Sequence, residues 1–297
     1  MASFTGSPAD SFDVQSLKLD KGSRRSMFNI IMTGLSGLAI LIALVPLVLV
    51  LFYVTINGFN RFDLALFTEL PPPPGSQGGG ISNAIVGTII TCLIAAVVSV
   101  PIGVMTAIWL AEFGGDDTSI DEWVRFGTNV LAGVPSIIAG VFIYGLMVRP
   151  GRPGYSALAG GVALAVLMLP TIIRTTDEAL QIVPKDIRWA ALGVGASNYQ
   201  TVLKVVLPAA VPSILTGVTL AIARAAGETA PLIFTALFSP FPFNGITNPI
   251  ATLSVLVYNF ATLPFKPQQE LAWAAALILV LLVLATSIIA RFVTRKR

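Results

Sequence analysis

Long apolar runs, separated by short polar or charged stretches, set the pattern of this chain. They extend from Phe28 to about Ile56, Ile81 to Ala111, Val124 to Val148, Tyr155 to Ile173, Ala209 to Phe238 and Leu271 to about Phe292. A helix rises about 1.5 Å per residue, so about 20 apolar residues cross the hydrocarbon core of a bilayer. Each run is long enough to cross or nearly so. The pattern predicts an all-α, polytopic membrane protein with six transmembrane helices, and Pro101 predicts a kink in the second. The first run is too long for a cleavable signal peptide, and no small-residue cleavage site follows it.

Composition agrees with the pattern. The chain is 55% hydrophobic and 11% charged, whereas soluble domains carry about 25% charged residues. The absence of histidine removes the commonest metal ligand and the usual neutral-pH proton shuttle; no metal or other cofactor is expected. Cys92 is the single cysteine and reads as a small buried apolar side chain. The sequence pI of about 9.2 does not indicate nucleic acid, because the basic residues flank apolar runs instead of forming a patch.

Lysine and arginine positions predict orientation. Lys18, Lys21, Arg24 and Arg25 precede the first span. Arg125 lies after the second, and Arg174, Lys185, Arg188 and Lys204 follow the fourth. Arg291, Arg295, Lys296 and Arg297 close the chain. Arg61, Arg149, Arg152 and Lys266 are all that fall on the other side. The positive-inside rule places both termini and the loop after span four in the cytoplasm. Glu112, Asp116, Asp117, Asp121 and Glu122 run against it, but acidic residues weigh little in this rule.

Two loops stand out. PPPPGSQGGG, from Pro71 to Gly80, lies outside and reads as a polyproline spacer followed by flexible glycines. The loop from Arg174 to Pro208 reads as short helices. Thr175 and Glu178 have capping-box spacing, with Pro184 as the stop. A second helix is expected from Lys185 to Leu192, closed by Gly193 or Gly195. Ser197 and Gln200 cap a third, through Lys204 to Leu207. Taken alone, these residues suit a docking platform or an ordinary amphipathic loop equally.

Spacing decides between them. WAALGVGASNYQTVLKVVLP fits the pattern EAA-x3-G-x9-I-x-LP without a gap. Ala190 and Ala191 fill the alanines, Gly195 the glycine, Val205 the isoleucine, and Leu207 and Pro208 the final pair; Trp189 replaces the glutamate. The chain therefore resembles the permease subunits of ABC importers. GGISNAIVGTII, LAGVPSIIAG, LPTIIRTTDEAL and ARAAGETAPLIFTA extend the resemblance over about Gly79 to Arg291, toward the phosphate-specific branch. It implies a type I ABC importer permease fold with a five-helix core over 81–293. Residues 1–27 would be a cytoplasmic tail, 28–80 the first span and external loop, and 294–297 a basic tail. It also implies a sister permease (PstC), two ATPase subunits (PstB) and an external phosphate-binding protein (PstS), with Trp189 to Pro208 coupling to the ATPase. The chain has no G-x4-G-K-[ST] loop of its own, so ATP hydrolysis belongs to a partner.

LAIARAAGETAPLIFTALF carries Arg224 and Glu228 within the fifth apolar run, with Gly227 between them. Arginine at the bilayer centre costs about 2.5–3.5 kcal/mol on insertion scales. Helical spacing puts the two charges on one face. An internal ion pair would make both tolerable, but apolar residues would pack better. A pore-facing anion site would use the guanidinium fork on phosphate oxygens, with Glu228 orienting it and keeping binding weak enough for release. Gly227 would allow close approach. The resemblance implies a role in translocation for the same two charges. Phosphate is separated from sulfate or molybdate by the resemblance alone. Arg174 is expected to snorkel to the interface, GVPSIIAG to serve helix packing, and the tryptophans to form an aromatic belt. An ion-driven transporter is the weaker alternative: the spans carry few carboxylates and the two halves show no repeat.

Overall fold

The computed structural model describes residues 24–114 and 119–295, and among them the regular elements are all helices, with no strand. Lys18, Lys21, Asp116, Asp117, Lys296 and Arg297, invoked above for orientation, lie outside the described residues. The chain divides after Tyr53 into two compact units.

The smaller unit contains most of α1 (Arg24–Phe59), one 36-residue helix that runs through Pro46. Phe28, Ile31, Leu41, Val48 and Phe52 are all exposed and apolar. A helix that is apolar on every side belongs in lipid or among other helices.

The larger unit starts within the last turns of α1. A short α2 (Leu64–Thr68) is capped by Asp63, whose carboxylate accepts from the Leu66 amide. Then comes α3 (Ser82–Ile108), unbroken through Pro101 and extended by a π-turn at Trp109–Phe113. The third apolar run is not one straight helix: α4 (Ser119–Gly133) and α5 (Ser136–Ile143) meet at a bend of 105°. Pro135 explains the break, since its ring disfavours helical geometry at the preceding residue.

The fold is centred on α6 (Ala157–Gln181). Its inner turns are built from Ala157, Ala159, Gly160, Gly161, Ala163 and Ala165, all buried. Helices in lipid gain little from apolar burial and associate by close van der Waals packing, which small residues permit. Ile94 of α3 sits where a side chain on Gly161 would project, and Thr175 occupies the same position against Gly217 of α9. α6 also runs further than the sequence suggests. Thr175 caps nothing; it lies inside the helix and its hydroxyl donates to the Thr171 carbonyl at 2.9 Å.

Beyond α6, α7 (Lys185–Gly193) is the expected second loop helix, followed by Gly195 at φ +90°, which favours glycine. The expected Ser197–Gln200 capping box is present at α8 (Asn198–Thr201). The third helix does not stop at Leu207. It continues through a π-turn at Val202–Val206 into α9 (Leu207–Ala226). Pro208 has no amide to donate, and its ring would crowd the Lys204 carbonyl in a regular helix; the wider π-turn accommodates both.

The fifth run likewise does not continue to Phe238. α9 ends at Ala226, and a separate α10 spans Ala230–Thr235. The chain then returns through 236–252 to α11 (Leu253–Ala261) and α12 (Lys266–Arg295). Pro231 forces the break: within a continuous helix its ring would clash with the carbonyl of Gly227.

PPPPGSQGGG is anchored, not free. Gln268 of α12, fully buried, donates to the Pro73 carbonyl at 3.0 Å and accepts from the Gly75 amide at 3.2 Å. Arg61 donates to the Gly79 carbonyl at 3.1 Å.

Candidate translocation and coupling sites

Arg224 lies in the last turn of α9, not midway along a span, and Glu228 lies just past the helix end. Their closest approach is 3.7 Å, from Nε to Oε1. The Arg224 side chain is 71% exposed and that of Glu228 18%. At this position the guanidinium meets the negative end of the α9 dipole, which favours a cation. Glu228 is held from behind, with its carbonyl accepting from Ser254 Oγ at 2.8 Å and its amide donating to the Ala225 carbonyl.

A cleft of about 10 Å³ separates the pair from α6 and is lined by Leu167, Met168, Thr171 and Ala221. That is room for roughly one water. Gly227 is exposed, and a Cβ there would meet nothing closer than the Arg224 carbonyl at 3.6 Å. Thr171 and Ser254 escaped the sequence reading, because a hydroxyl in an apolar run looks like a helix-packing residue. Nothing in one chain's spacing shows that α6 and α11 converge on Glu228.

The residues expected to couple to an ATPase lie on and after α7. No residue of this helix is buried. Trp189 is 65% exposed and Val194 87%, and Ala190 faces outward as well. Ala191 and Arg188, one turn apart, are partly covered. The alanine pair is thus split between an outward and an inward face. Trp189 sits on this loop helix, between the span that ends at Gln181 and the one that begins at Asn198. It borders a recess of about 700 Å³ shared with Glu112, Gln181, Lys185 and Arg188. Leu207 and Pro208 open α9, directly after the π-turn.

Arg174 is exposed but not solitary; it donates to Asn129 Oδ1 at 2.6 Å. Arg125 bridges Asp177 at 3.0 Å and donates to the Leu110 carbonyl. Gly140, from the GVPSIIAG run, packs on the backbone of Pro231, in keeping with the packing role.

Residues 82–297 match the family model described as "Binding-protein-dependent transport system inner membrane component". The chain is 42% identical over 277 residues to the phosphate transport system permease protein PstA of Yersinia pestis, covering 93% of each chain. It is 39% identical to the same-named protein of Pasteurella multocida, over 90% of this chain and 94% of that one. The chain belongs to the PstA family of binding-protein-dependent transport permeases. Solved structures agree on the fold. A bacterial alginate ABC transporter, in complex with its alginate-bound periplasmic protein, gives a TM-score of 0.65 at 12% identity over 93% of this chain and 98% of that chain. An inward-facing MetNI methionine transporter gives 0.56 at 20% identity, over 73% and 94%. This permease therefore has the type I importer fold, and its helices are those of a multi-pass membrane protein.

Proposed function

We propose that this permease forms half of the translocation path of an ATP-driven phosphate importer. It works with a sister permease, two cytoplasmic ATPase subunits and an external phosphate-binding protein, and both its termini are cytoplasmic. The names of its relatives support the substrate, and the lysine–arginine distribution supports the orientation.

The observation that carries the reading is the exposure of Arg224. An arginine on a membrane-spanning helix belongs against water or protein, not against lipid tails. This chain leaves 71% of that side chain uncovered, so the surface around it is completed by another subunit or by the aqueous path. At 3.7 Å from Glu228 it is loosely held and keeps donors for a passing anion. The cleft behind it is too small for phosphate, so the anion passes on the open side, between two permeases. Glu228 then limits how tightly the anion binds, as a transit site requires.

A mutant cycle in the purified, reconstituted complex tests this. Arg224→Gln leaves Glu228 alone on the path, and uptake is lost. Arg224→Gln/Glu228→Gln leaves no unpaired charge, assembles with its partners and hydrolyses ATP, yet moves no phosphate. Near-normal phosphate uptake by a well-assembled double variant contradicts the role.

A further inference from the structure

α7 is the element proposed to meet the ATPase, yet it has little purchase on the membrane helices. None of its residues is buried, and the 700 Å³ recess lies between it and the end of α3. One side chain bridges this space. Arg188 donates to Glu112 Oε1 at 2.8 Å, to the Leu180 carbonyl at 2.7 Å and to the Val183 carbonyl at 2.5 Å. Glu112 belongs to the π-turn that ends the second span. Leu180 lies in the last turn of α6, and Val183 just beyond it. Among the described residues, this is the ion pair that ties α7 to the bundle.

We infer that Arg188 and Glu112 are positioning residues that deliver displacement of the coupling helix to the inner ends of α3 and α6. This rests on the proposal that α7 docks an ATPase. The guanidinium fork fixes direction as well as distance, because its donors are spread in a plane toward acceptors on two different elements. The contact at the α6 carboxyl end is also favoured by the helix dipole. The side chains are 20% and 9% exposed, so separating them would strand a poorly hydrated carboxylate. When α7 is pushed, the three elements move together more readily than the pair separates. α6 carries Thr171 beside Arg224, which gives the movement a route to the anion site.

The test uses the full complex in proteoliposomes, reading subunit recovery, ATP hydrolysis and phosphate taken up per ATP hydrolysed. Glu112→Gln is the mild variant, keeping shape and an acceptor oxygen; Arg188→Gln removes the fork. Both complexes assemble and hydrolyse ATP, while phosphate per ATP falls about tenfold, within the range expected of a coupling network. The double variant Arg188→Gln/Glu112→Gln is no worse than the worse single, because the Arg188–Glu112 ion pair is lost in all three. An unchanged ratio in both single variants overturns the inference. So does a loss of uptake matched by an equal loss of assembled complex, since that is a merely structural role. Wild-type complex without ATP-dependent phosphate uptake overturns the parent reading and this one together; normal wild-type uptake with an unchanged variant ratio overturns this one alone.

Discussion

Arg224 is placed by two rules that act within a few residues. A cation is favoured in the last turn of a helix, and Pro231 dictates that the helix ends by Gly227. If the guanidinium handles the anion, charge alone is not enough. Arg224→Lys keeps the charge and the pairing with Glu228 but gives up the planar fork. Uptake is expected to fall about tenfold, the equivalent of about 1.4 kcal/mol or one charge-assisted hydrogen bond, while complex recovery stays normal. Radiolabelled phosphate uptake at matched protein levels measures it; wild-type uptake would mean that a point charge suffices. The Arg224–Glu228 association was legible in the sequence because four residues bring side chains together locally. Thr171 beside it, and Glu112 beneath Arg188, were not. Their proximity depends on how α6 and α3 pack, and one sequence carries no signal for contacts 53 or 76 positions apart.

Local chemistry foretells some elements and misleads on others. The Ser197–Gln200 capping box forms as written, with Ser197 Oγ accepting from the Gln200 amide at 3.3 Å and Gln200 Oε1 accepting from the Ser197 amide at 3.1 Å. The Thr175–Glu178 pair has the same spacing and forms no cap. There the α6 helix continues because its face is packed on α3 and α9, and tertiary packing outweighs a local stop signal. The fifth run shows the opposite case: hydropathy continues to Phe238, but Pro231 interrupts the helix, and apolar periodicity is blind to a missing amide. The proline loop reads as slack in the sequence because its partner, Gln268, is remote. At this scale, Ser197→Ala is expected to weaken the start of the α8–α9 helix by about 1 kcal/mol. Amide exchange at Gln200 should then rise about fivefold on the same basis, with exchange in α6 unchanged. Unchanged exchange at Gln200 would show that the cap adds nothing there.

For the whole molecule, the proposed orientation rests on the basic residues on α7 and at both ends of the chain. Ser76 and Val194 are both exposed, and Cys92 is buried, so single cysteines at 76 and 194 can be compared against a quiet background. An impermeant thiol reagent applied to intact cells should label Ser76→Cys and spare Val194→Cys until the cells are opened; the reverse would invert the topology. At this scale the chain is proposed to be the permease half of a phosphate importer powered by ATP from its partners. The most direct measurement is phosphate uptake by the reconstituted complex, with external binding protein present and no ion gradient imposed. Accumulation should require ATP inside the compartment facing α7 and should not be displaced by excess sulfate or molybdate. Uptake driven by an ion gradient without ATP, or ATP-driven accumulation of sulfate or molybdate in preference to phosphate, would contradict the proposal.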